Sequence, residues 1–156
     1  MSELLLTGVE LKRGLWAKCV ELQTQLVNAA KSSMESASES ALDQDSSTDE
    51  NGDSFKEQCH RDRDMYAIKF RDASTGLKAL NRINPEVETD IVRVGSVVFT
   101  NAQNLFISIS LGQINCEGDN FVAISTQSPL YQSIEGKRKG DKFDFRGATY
   151  TINEVF

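Results

Sequence analysis

The chain has 156 residues, 39% of them hydrophobic and 26% charged, with a formal net charge of −6. That length holds one ordinary domain or two small ones sharing a modest core, and the negative total argues against a general nucleic-acid binder, which needs clustered Lys and Arg. Apolar stretches such as 4–6 and 97–99 are far too short to span a bilayer, and Lys12, Arg13 and Lys18 break up the opening segment where a signal peptide would be continuously apolar.

Cys19, Cys59 and Cys116 are odd in number, widely spaced and without a CxxC pair. This predicts neither a disulfide framework nor a zinc site, and it places the chain in a reducing cytoplasm. The charge is concentrated. Glu35, Glu39, Asp43, Asp45, Asp49, Glu50 and Asp53 fall within 35–53, where there is no base.

In chain order, Leu11, Leu15, Cys19, Leu22, Leu26 and Ala29 recur at steps of four and three, which predicts a helix over about 8–42 with a heptad seam. Thr7 is placed to cap it, with Glu10 completing a capping box. Beyond Ala30 the seam thins to Ser33, Ala37 and Ala41. A turn-prone run over 45–52 follows. Tyr66, Phe70, Ala73, Leu77 and Leu80 then repeat the spacing, led by Phe55 and Cys59, and Asn84-Pro85 ends the pattern. Two seams around a turn predict an antiparallel helical hairpin. Folding it about residue 48 sets Leu26 opposite Phe70 and Trp16 near Leu80.

After a linker over 85–90 the period changes to two. Strands are expected at 91–94, 96–99, 105–109 and 121–124, with a closing hairpin from 142–146 through Gly147 to 149–153. One short helix interrupts them, with Ser128 as N-cap, Pro129 as its first residue and Gly136 at its end. The expected class is α+β: a coiled-coil hairpin over 1–84, then a small antiparallel sheet domain with one helix over 91–156.

The run 124–136 with Ser128-Pro129 inside it, then Lys137, Gly140-Asp141 and the final hairpin, resembles the end of the bacterial GreA and GreB factors. The segments 6–11 and 94–98 look like that family's opening and its domain-entry strand. The resemblance covers the chain. It implies an FKBP-like C-terminal domain that docks on RNA polymerase core, here through Gln127, Ser128 and Pro129, and a hairpin that enters the secondary channel. It also implies tip carboxylates that share a magnesium ion with the polymerase active site, so that the polymerase's own hydrolysis of backtracked RNA is stimulated. Magnesium suits carboxylate oxygens, and it activates water and offsets phosphate charge. The factor would hold no metal or cofactor alone, would meet the RNA 3′ end only through the polymerase, and would work as a monomer without a membrane.

The tip departs from the family pattern. Gly52, Asp53 and Glu57 supply its Gly, Asp and Glu, but the acids stand four residues apart in place of three. Both spacings share a helix face, though the second carboxylate turns by roughly 100°. Asp43, Asp45, Asp49 and Glu50 complete an acidic tip that can also act without metal, steered into a positively lined cavity or standing in for phosphate. That gives a Gre-like binder or inhibitor without cleavage stimulation. The acids otherwise form a solvated loop. A calcium loop fails, since Gly52 at its sixth position puts Gln58 where a bidentate Glu is required.

Two other readings stay open. One is a coiled-coil adaptor that dimerises. The other is a peptidyl-prolyl isomerase, disfavoured because the sequence presents no evident aromatic-lined pocket. His60, among Arg61, Asp62, Arg63 and Asp64, is expected as an exposed helix residue, Trp16 as packing, Cys19 as buried seam, and Lys137, Arg138, Lys139 and Lys142 as a solvated basic turn.

Overall fold

Two long helices are followed by a six-stranded sheet and one short helix, the expected α+β order. The computed structural model describes the backbone of residues 8–43 and 50–156 and the side chains of 8–39 and 55–156. Helix α1 spans Gly8–Asp43 and α2 spans Glu50–Asn81. At 36 residues, α1 is about 54 Å long. The cap expected at Thr7 lies outside the described residues. Asn51 and Gly52, expected in the turn, belong to α2 instead. No helix among the described residues is long and apolar enough to cross a membrane.

The helices run antiparallel in the expected register. Trp16 Nε1 donates to Leu80 O at 2.8 Å, and Gln23 Nε2 donates to Ala73 O at 2.9 Å. Both pairs centre on residue 48, as the folding of the two seams requires. On α2 the inner face carries Cys59, Tyr66, Phe70, Ala73, Leu77 and Leu80, all buried or half-buried. On α1 the seam departs from expectation after Cys19. Leu26 is 51% exposed and Ala29 is exposed, while buried Gln23 and half-buried Val27 and Ala30 face inward. Leu26 is therefore level with Phe70 in this register but exposed instead of buried, and Phe55 is also exposed.

The strands are β1 (Val97–Thr100), β2 (Asn104–Ser108), β3 (Gly112–Cys116), β4 (Asp119–Ser125), β5 (Lys142–Phe145) and β6 (Ala148–Val155), in the order β3-β4-β2-β1-β6-β5. Pairing is antiparallel except between β2 and β4, which run parallel. Segment 91–94 is no strand. Only Ile91 bridges, to Arg138, because the chain turns through Val94 and Gly95, with Ser96 Oγ accepting from Arg93 N and donating to Ile91 O. Strand β3 was not expected. It joins β4 through Glu117 and Gly118, both at positive φ, as Arg146 and Gly147 join β5 to β6. These are the two-residue turns whose twist matches the flanking strands. Arg146 is therefore a turn residue and not the last residue of a strand.

Helix α3 (Pro129–Ile134) starts with Ser128 at the N-cap position, but the serine hydroxyl makes no capping bond. Gly136, at positive φ just past the helix, donates its N–H to Val92 O. Leu130, Tyr131 and Ile134 of α3 pack on Val98, Leu105, Ile107, Ile124, Ile152 and Val155 of the sheet. The other sheet face is buried as well, through Val97, Phe106, Ile114, Cys116, Phe121 and Ala123. The first turns of α1 meet that face. A Cβ on Gly14 would lie 3.3 Å from Cys116 Sγ, and Cys19 sits beside Ser108 and Cys116.

The chain divides into two compact units, one of residues 1–21 and 79–156 and the other of 22–78. This division differs from a linear one at 84–91, since both helices give residues to each unit. Leu15, fully buried on α1, therefore belongs to the core of the sheet unit. Leu15→Ala should cost about 2–5 kcal/mol in urea unfolding, whereas Leu26→Ala should stay within about 0.5 kcal/mol. Equal losses at the two positions would contradict this assignment of the stripe.

Candidate functional site

The acidic segment sits where the two helices join. α1 ends at Asp43 and α2 begins at Glu50. Asp45 and Asp49 lie outside the described residues. Asp53 and Glu57 both belong to α2, four residues apart, and Glu57 is exposed. Among the described residues no group of three or more His, Cys, Asp or Glu side chains is placed to hold a metal ion.

Gln127, Ser128 and Pro129 form the corner between β4 and α3. Gln127 and Pro129 are exposed and Ser128 is half-buried. The corner is pinned by its own main chain, with Ser128 N donating to Ser125 O at 3.1 Å and Gln127 N to Ser125 Oγ at 3.2 Å. Next to it opens a cleft of about 200 Å³ lined in part by Leu105, Leu130, Phe143, Phe145, Arg146 and Tyr150. Phe143 stacks on Tyr150 at 5.3 Å between ring centroids, and the Arg146 guanidinium lies 5.0 Å from the Phe145 ring. This cleft corrects the expectation that the sheet domain has no aromatic-lined pocket. Its signal was present in the sequence, because Phe143 and Phe145 lie two apart on a strand and the hairpin sets Phe143 directly opposite Tyr150.

The remaining single residues are structural. Trp16 is half-buried with its indole N–H satisfied, and His60 is half-buried on α2 where an exposed residue was expected. All three cysteines are buried and free. Burial pushes the Cys19 thiol up to about 12, with neighbouring Ser108 acting against the shift. The Ser108 hydroxyl has no well-formed hydrogen bond of its own. In the basic turn, Arg138 pairs with Asp90 at 2.8 Å and Lys139 with Glu154 at 3.1 Å. Such exposed pairs add little stability.

Lys12 is the exception among the charges. Its side chain is 2% exposed, and Nζ donates to Val87 O at 2.5 Å. Burial lowers its pKa to about 8, with Glu88 opposing the shift and Arg93 adding to it.

No family model matches the chain, and no curated protein matches it. Among solved structures it is similar to the transcription factor Gfh1, at 16% identity over 88% of this chain and 93% of that one, with a TM-score of 0.35. It is also similar to GreA factor homolog 1 (Gfh1) of Thermus thermophilus, at 16% identity over 89% of this chain and 95% of that one, with a TM-score of 0.36. A likeness of this size does not define an activity.

The buried lysine makes stability depend on pH. In the unfolded chain Lys12 keeps its proton up to the ordinary 10.5, while in the folded chain it loses it near 8. Between those values the unfolded state binds more protons, so stability rises with pH; below 8 the contribution is flat and at its lowest. Relative to Lys12→Met, the wild-type unfolding free energy should climb by about 3 kcal/mol across that window. Parallel pH curves for the two proteins would contradict the buried-charge account.

Proposed function

We propose that this protein is a Gre-type factor that binds RNA polymerase core at the secondary channel and modulates elongation. The observation that carries the reading is the position of the acids. Seven of them, with no base, fall within 35–53, at the end of the helix pair where α1 gives way to α2. An antiparallel helix pair with that end negative suits a channel whose floor binds magnesium and phosphate. The sheet domain supplies the docking element: the Gln127, Ser128 and Pro129 corner together with the aromatic cleft beside it. Half-buried Phe145 and Tyr150 and exposed Arg146 border the cleft, and aromatic and arginine groups are the residue types that dominate binding energy at protein interfaces.

In this reading Asp53 and Glu57 add carboxylate oxygens to a magnesium ion held by the polymerase, and the polymerase hydrolyses its own backtracked RNA. The chain provides charge and position and performs no bond breaking. A second reading is favoured by one specific observation, the four-residue spacing of Asp53 and Glu57. Near-octahedral magnesium tolerates little misdirection of a ligand. A factor with that spacing occupies the channel, repels RNA phosphate and leaves cleavage unstimulated.

Two measurements test this. Phe145→Ala and Pro129→Ala should each weaken binding to core polymerase by about tenfold, a loss of roughly 1.4 kcal/mol, while far-UV circular dichroism stays unchanged. Unaltered affinity in both variants would remove the docking assignment. With a stalled, backtracked elongation complex, the wild type should speed RNA cleavage and Asp53→Asn with Glu57→Gln should abolish the gain. Cleavage below the factor-free rate with either protein selects the occupying factor instead.

A further inference from the structure

Away from the acids and the docking corner, three cations gather around one cavity in the sheet unit. The cavity measures about 200 Å³ and is lined by Lys12 from α1, Arg82 just past α2, and Arg93 before β1, with Asn84 and Thr89 among them. Among the described residues no acidic side chain lines it. Three exposed bases elsewhere in this unit are paired: Arg13 binds both carboxylate oxygens of Glu86 at 2.6 Å, and Arg138 and Lys139 meet Asp90 and Glu154. Arg82 and Arg93 have no ion pair among the described residues.

Donors remain available in the cavity. Lys12 gives one N–H to Val87 O and retains two. Asn84 Oδ1 accepts from Glu86 N, which leaves its amide N–H groups to donate, whereas the Thr89 hydroxyl is occupied with Ile91 O. The one acid that acts on the Lys12 charge is Glu88. Holding a desolvated ammonium beside a second cation is unfavourable by itself, and an anion between them adds an attraction to each charge that offsets this cost.

We propose that this cavity binds the phosphoryl head of a small phosphate ester. Two arginine forks match the geometry of phosphate oxygens, and a lysine adds a point charge. The volume lies below the roughly 300–1,000 Å³ of pockets that enclose a whole ligand, so the head enters and the organic part stays outside. The site is independent of the polymerase reading and stands or falls separately.

Isothermal titration of the full-length protein with phenyl phosphate at pH 7, in chloride at fixed ionic strength, tests the proposal. Saturable one-site binding is expected. Arg82→Gln and Arg93→Gln should each weaken it by about tenfold, in line with the loss of one charge-assisted hydrogen bond, and Glu88→Gln should tighten it. Both arginines are outside strands and helices, and unchanged far-UV spectra would establish that the variants fold. Absence of saturable binding, or equal affinity in wild type and arginine variants, overturns the site. Binding of inorganic phosphate with refusal of phenyl phosphate overturns the ester assignment.

Discussion

The structure depends on a sheet that is buried on both faces. One face is closed by α3, through Leu130, Tyr131 and Ile134. The other is met by the opening turns of α1, where Gly14 lets the helix approach Cys116. This double burial explains why β2 reads Leu-Phe-Ile without alternation, since neighbouring side chains point into two different cores. Leu11, Leu15 and Cys19 of α1 are buried within the sheet unit, where Trp16 also donates to Leu80 of α2. One helix thus gives buried residues to both units in succession.

That succession is where the heptad expectation fails. Buried positions on α1 are 11, 12, 15, 19 and 23, and from 11 each step of four advances the stripe by about 40° around a helix of 3.6 residues per turn. Positions 11, 15 and 19 lie in the sheet unit and 23 in the hairpin unit. A regular alternation of four and three would hold one face and select Leu22, Leu26 and Ala29, which is what apolar spacing alone suggests. On α2 the alternation holds from Cys59 to Leu80. The existence and order of the elements were legible in the sequence. Strand β3 was not, because Gln113 and Asn115 give its outer face no β-forming signal and only its turn residues mark it.

The candidate site was legible to different degrees. The acid run is visible in composition, and its place at the helix junction follows from the two seams around it. The Ser128-Pro129 corner follows from local chemistry, although the serine contributes backbone conformation there and no side-chain cap. The aromatic cleft and the Lys12 cavity bring together residues distant in the chain, such as Leu105 with Tyr150 and Lys12 with Arg93. No spacing rule reports such neighbours. Only strand register and helix packing place them together.

Three side chains of α1 hold the returning chain in the same manner. Lys12, Trp16 and Gln23 donate to Val87, Leu80 and Ala73, and each bond ends on a main-chain oxygen. The recipient side chains take no part in these three bonds, although Ala73 and Leu80 also pack in the seam of α2. At exposed Val87 mutational drift can therefore proceed without loosening the grip, while its donor Lys12 is not free to change. Divergence at that contact should be lopsided, with the gripping helix the slower half to lose its ancestral letters.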